Sequence, residues 1–170
     1  ISSNVSVLSI NQTTGVLTEI SNSPFPLAPA AGPTAIAVHP SGNLLFVTSN
    51  NGSPGTLSVF IIQSTGSLNQ VGSPFLVGLD PQAVVLNTAG TVVYAANKGA
   101  NSISAFSVDQ TTGVLSQLQS PFPISSGTAP SSVAVGPGGQ FLYVANSGGT
   151  ANSSGIPIDP VSGALLSTGG

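Results

Sequence analysis

The chain has 170 residues, of which one is Lys or Arg and four are Asp or Glu, for a formal net charge of -3. Charged residues make up 3% of it, against about a quarter of an ordinary globular domain. With Lys98 as its sole cation it can form no basic face to displace counterions from phosphates, which excludes nucleic-acid binding.

Other exclusions follow from the same composition. Cys is absent, so disulfide frameworks, thiolate metal sites and cysteine nucleophiles fall away. A hydrophobic fraction of 40% with positive mean hydropathy argues for a packed core rather than disorder. No apolar run approaches the roughly 20 residues a membrane-spanning helix needs. Ser, Thr, Asn and Gln number 61, so neutral polar groups do the wetting that charges usually do. Met is absent, so Ile1 is no translational start, and a processed product or a fragment of a longer protein is expected. Asn4, Asn11, Asn51 and Asn152 open glycosylation triplets, a pattern that chance supplies in an Asn- and Ser-rich chain.

Along the chain, residues 1–22 hold two short apolar runs on either side of Thr14-Gly15. Ser23-Pro24-Phe25 follows, then Pro33 opens an apolar run, Thr34 to Val38. His39 to Gly42 reads as a hairpin turn, and Leu44 to Val47 as the next strand. The series then repeats. The Ser-Pro-Phe triplet recurs at Ser73 and Ser120, the turn glycine at Gly66, Gly113 and Gly163, and the strand-opening proline at Pro81 and Pro130. Runs at 92–95 and 141–144 match 44–47. Four markers share a period of 47 to 51 residues, which is the signature of stacked supersecondary units. Runs such as 102–108, 114–119, 131–136 and 140–146 are rich in β-branched and aromatic residues between turn formers, so every unit reads as four short strands and none as helix. The expected units are a half blade of two outer strands at 1–22 and blades at 33–72, 81–119 and 130–168.

In the run Ile103 to Val108, Ile103 and Ala105 fall on one face while Phe106 and Val108 fall on the other. Both faces of each small sheet must therefore be covered, and radial stacking of successive sheets does this while leaving only short edges. The expected fold is all-β: a β-propeller of four-stranded antiparallel blades, with about three and a half blades present.

The runs Phe141 to Asn146, Ser102 to Asp109, Thr112 to Leu115 and Ser120 to Pro123 resemble the Tyr-Val-Thr-Asn type of propeller repeat. That pattern is similar to the lactonase family of seven-bladed propellers, whose namesake is 6-phosphogluconolactonase. The resemblance implies a ring of seven blades, twice what this chain supplies, so additional blades from a longer chain or self-association are expected.

Candidate chemistry is sparse. His39 sits in a hairpin turn, at the position of Asn87 and Gly136, and reads as a turn residue. Asp109 and Asp159, with Asn11, precede the Gly turns and read as turn caps. Ser49, Asn97 and Asn146 end equivalent strands and are expected to satisfy backbone groups there. Phe25, Phe75 and Phe122 read as plugs between blades. Asp80 and Lys98 flank strands on the side where long loops gather. They read as a surface ion pair or as part of a ligand-facing rim, and are the candidate ligand-binding residues. No catalytic residue, metal site or cofactor is expected. The preferred reading is a non-catalytic, secreted, periplasmic or cell-surface propeller that scaffolds or binds a carbohydrate or protein partner. The alternative is a lactonase-like hydrolase whose active groups lie outside this segment.

Overall fold

The structure is a computed structural model that describes residues 3–27, 32–50, 54–124, 127–150 and 152–167. It is a β-propeller segment, with antiparallel sheets and no helix among the described residues. Blade A takes the order β5 (Gly32–Val38), β6 (Leu44–Asn50), β7 (Thr56–Ile62) and β8 (Leu68–Gln70), and β9 (Phe75–Leu76) pairs with the far end of β7. Blade B repeats this with β10 (Pro81–Leu86), β11 (Val92–Asn97), β12 (Ser102–Val108), β13 (Leu115–Gln117) and β14 (Phe122–Pro123). Blade C has β15 (Thr128–Val135), β16 (Phe141–Gly148) and β17 (Ser153–Pro157), and a single bridge from Ile158 to Leu165 stands for its fourth strand. Ahead of these lies the half blade, in which β1 (Asn4–Val5) pairs with β4 (Phe25–Pro26) and β2 (Leu8–Ile10) with β3 (Leu17–Glu19).

One feature departs from the sequence reading. The Ser-Pro-Phe segments lie outside the four strands expected of each unit, yet Phe25, Phe75 and Phe122 each open a two-residue strand on the outer edge. The outer edge of blades A and B is thus two short pieces laid against one long third strand: β8 meets Phe60–Ile62 of β7, and β9 meets Thr56 and Leu57.

Turn chemistry explains the connections. Gly42, Gly90 and Gly139 adopt φ of 78°, 73° and 68°, and each N–H donates to the carbonyl of the residue three back, His39, Asn87 or Gly136. Glycine takes that left-handed conformation without a Cβ clash. At the other end of the first strand, a bulge follows Pro33, Pro81 and Pro130 in all three blades. Proline has no N–H for the ladder, and the register shifts where that donor is missing.

Packing follows the strand alternation. In β11, Val93 and Ala95 join Leu44, Phe46, Leu57 and Val59 in the seam between blades A and B. Their chain neighbours Val92, Tyr94 and Ala96 join Leu142, Val144 and Ile156 in the seam between B and C. A third seam places Leu27 and Phe25 against Leu45, Val47 and Phe60. Phe25, Phe75 and Phe122 pack one into each seam. Full burial of a side chain such as Leu or Phe contributes about 1.5–3 kcal/mol, so the three seams rather than any central core hold the segment together.

Beyond the seams two apolar faces are open. Phe141 and Tyr143 are 41% and 54% exposed, although their counterparts Val92 and Tyr94 are 3% and 0% exposed. On the opposite side Ile36 and Val38 of β5 are exposed, as are Leu8, Ile10 and Leu17 of the half blade.

Candidate functional site

The first strand of each blade begins, and the second ends, on the loop-rich face, which brings Asp80, Asn50 and Asn97 to the same end of the sheets. Asp80 stands directly before Pro81 with φ of 49°, and Ala129 repeats this before Pro130 with φ of 55°. Left-handed backbone is costly for residues other than glycine, least so for Asp and Asn. Lys98 and Asp80 are brought together by the main chain: the Lys98 N–H donates to the Asp80 carbonyl at 2.9 Å, and the Gly99 N–H to the Leu79 carbonyl at 3.0 Å.

The expected ion pair does not form. Asp80 Oδ1 instead accepts from Asn50 Nδ2 at 2.7 Å and from Gln82 Nε2 at 2.8 Å. A carboxylate flanked by two amide donors is fixed in orientation, and with Asn50 on blade A it also clips two blades together at the rim. A carboxylate offers about four lone-pair sites over its two oxygens, so Oδ2 retains acceptor capacity for a hydroxyl from solvent or a ligand. Sequence reasoning found Asp80 and missed Asn50 and Gln82. Gln82 was legible as a side chain two residues along the strand, but Asn50 lies thirty residues away on another blade.

Just beneath this rim Ser49, Asn97 and Asn146 are buried at equivalent positions. They do not cap backbone groups as expected. Asn97 Nδ2 donates to Ser102 Oγ at 3.2 Å and Ser104 Oγ at 3.0 Å, and Asn146 Nδ2 to Ser154 Oγ at 3.0 Å. These amides therefore tie the second strand to the third. Ser49 Oγ and the two amide oxygens have no hydrogen-bond partner among the described residues, which costs about 1–3 kcal/mol for each such group.

On the opposite, hairpin face, Asp109 Oδ1 accepts the N–H groups of Thr111 at 2.9 Å and Thr112 at 3.0 Å. Asp159 does the same for Val161 and Ser162, and Asn11 for Thr13 and Thr14. Hydrogen bonds from the Thr112 backbone, then the Thr111 backbone and the Thr112 side chain, hold the Asp109 carboxyl below the usual carboxylate range. The Ser162 backbone and side chain, then the Val161 backbone, do so for Asp159. These are turn caps.

His39 is also on this face, distant from Asp80, and it does more than shape its own turn. It is buried, and Nε2 lies 3.2 Å from the Gly90 carbonyl of the next blade. Nδ1 accepts from the Ser41 N–H at 3.1 Å, which leaves Nε2–H as the donor across the seam. Ser41 Oγ stands between His39 Nδ1, at 2.7 Å, and Asn43 Oδ1, with one proton to share between these two acceptors. Among the described residues, no three His, Asp or Glu side chains gather as a metal site, and no helix is long and apolar enough to cross a membrane.

Comparison with known proteins places this geometry. Among solved structures the chain is similar to a Bacteroides uniformis protein assigned as a 6-phosphogluconolactonase, with a TM-score of 0.82 and 18% identity over 98% of this chain and 48% of that one. It is also similar to the periplasmic gluconolactonase PpgL of Pseudomonas aeruginosa, with a TM-score of 0.74 and 25% identity over 88% of this chain and 42% of that one. A protein from Lactobacillus plantarum matches with a TM-score of 0.79 and 24% identity over 96% and 47%. The chain thus spans about half the length of these structures. No curated protein matches it. The family model described as lactonase, 7-bladed β-propeller matches residues 1–129, and the chain belongs to that family.

Proposed function

We propose that these blades are part of a propeller that hydrolyses a sugar lactone, with Asp80 on the rim of the substrate site. This is the alternative of the sequence reading, and the family match now favours it over the scaffold reading. The observation that carries a role for this segment is the Asp80 carboxylate, held by Asn50 and Gln82 on the loop-rich face, with acceptor capacity left for a substrate hydroxyl. Lactone opening also needs a base for the attacking water and donors for the developing oxyanion. His39 is committed to the opposite face, so those groups are assigned to blades beyond this segment. Such blades, supplied by a longer chain, also cover the open faces at Tyr143 and Ile36. The low-charge, hydroxyl- and amide-rich surface fits a protein at or outside the cell envelope.

The test is hydrolysis of glucono-δ-lactone and 6-phosphoglucono-δ-lactone by the natural protein containing these residues. Accelerated opening of either is expected, with Asp80→Asn raising KM more than it lowers kcat, because Asp80 binds rather than reacts. If neither lactone opens faster than in buffer, the hydrolase reading fails and a carbohydrate- or protein-binding scaffold takes its place.

A further inference from the structure

The A–B and B–C seams are built from the same register positions, yet on the hairpin face one is filled and the other holds a cleft of about 360 Å³. In the A–B seam the His39 ring lies so close over Gly90 that a Cβ built there would stand 2.1 Å from Nε2. Asn43 Nδ2 reaches across to the Gln110 carbonyl at 2.9 Å, and Ile61 packs into the seam core. The counterparts in the B–C seam are Asn87, Thr91 and Ser107, each too short to span it. Asn87 Nδ2 turns back to Thr91 Oγ1 at 2.9 Å, and Ser107 Oγ donates to the Ser116 carbonyl of its own blade. All three line the cleft. A second observation is independent of its volume. At Gly139, the counterpart of Gly90, the nearest atom to a built Cβ is Thr88 Oγ1, at 4.0 Å. The slot that an imidazole occupies one seam earlier is open here.

We infer that this cleft is a binding site for a small planar N–H-donating heterocycle of the imidazole class, seated as the His39 ring is seated in the A–B seam. The Gly139 carbonyl corresponds to the one that faces His39 Nε2 and supplies the acceptor for a ring N–H. Val92 and Ile158, both of the B–C seam core, give the ring an apolar wall. Asp159 lines the same cleft, and its carboxylate favours a neutral or protonated ring over an anion. Asn87 and Asp80 stand at opposite ends of the six-residue strand β10, about 20 Å apart at the usual rise per residue. The site is therefore separate from the rim, and it stands or falls independently of the lactonase reading.

Imidazole itself is the probe, followed by ligand-observed saturation-transfer NMR on the natural protein. A ring of so few atoms should bind at about 1 mM or weaker, giving a saturable signal. Asn87→His rebuilds the plug of the A–B seam, and Ser107→Ile, at the position of Ile61, fills the cleft from the third strand of the same blade. Each should weaken binding by about tenfold or more. 1-Methylimidazole, which has no N–H when neutral, should also bind about tenfold more weakly above the pKa of the ring. Circular dichroism checks the fold of both variants, and Ser107→Ile decides the matter if Asn87→His disrupts its turn. A signal that does not saturate, one undiminished in the folded variants, or equal binding of the methylated ring overturns the assignment.

Discussion

Asp109 and Asp159 show how much a single carboxylate contributes when its partners are backbone N–H groups. Both have folded-state pKa values lowered from 3.8 by hydrogen bonds within their turns. A lowered pKa stabilises the fold above the unfolded value, and that stability fades as pH falls through the folded one. Urea midpoints of the natural protein should therefore drop below about pH 4, and the drop should shrink in Asp109→Asn with Asp159→Asn. Asn keeps the cap, as Asn11 does, but has no proton to take up. Tyr94 responds at the other extreme. Burial pushes its phenol from 10.0 up to about 12, and its hydroxyl donates to the Gly163 carbonyl at 2.7 Å. The folded state holds this proton more tightly, so its contribution is complete below pH 10 and is lost toward pH 12. Tyr94→Phe should cost about 1–2 kcal/mol at neutral pH and flatten that alkaline loss, both readable from chemical denaturation. The Asp caps were legible because their partners lie two and three residues on. The Tyr94 bond joins residues 69 apart, and no local pattern announces it.

Among the elements, the hairpin turns matter as much as the strands, because the turns at Gly66, Gly90, Gly113 and Gly163 each meet side chains of the preceding blade. Gly163 has φ of 75°, and a Cβ there would lie 2.5 Å from Val92 Cγ2. Gly163→Ala combines left-handed strain with overpacking and should cost roughly 2–5 kcal/mol. Gly15 has φ of 73° and nothing within 4 Å of its built Cβ, so Gly15→Ala should cost only the backbone share of about 1–2 kcal/mol. The difference between their unfolding free energies isolates the seam contact. His39→Ala should cost about 2–4 kcal/mol, since it empties a buried slot and leaves the Gly90 carbonyl without its cross-seam donor. The sequence carried the strand runs and turn glycines at 42, 90 and 139 plainly, because alternation and positive φ restrict residue choice locally. It hid β4, β9 and β14: two residues beside a proline show no period, and only pairing with another strand, β1, β7 or β12, makes them strands. It also hid the reach of His39 into the next blade, since a buried histidine and a surface turn histidine are written alike.

For the whole molecule, the repeat made the propeller readable and left its chemistry unread, because fold and site draw on different residues. The uncovered faces give the prediction at this scale. Residues 1–170 produced alone should self-associate through Phe141, Tyr143, Ile36 and Val38, all exposed, as open apolar faces and sheet edges do. Light scattering should show the mass per particle falling when Phe141→Ser and Ile36→Ser are introduced together, and a monomeric parent chain would contradict this. The division of each strand between two seams has a consequence of its own. Val93 and Tyr94 are covalent neighbours, yet Val93 belongs to one core and Tyr94 to the next. Damage at the first should add to damage at the second with little interaction, whereas Tyr94 and distant Gly163 should behave as a coupled pair. In this architecture, closeness along the backbone is a poor guide to which losses compound, and a residue's confederates are found about one repeat away.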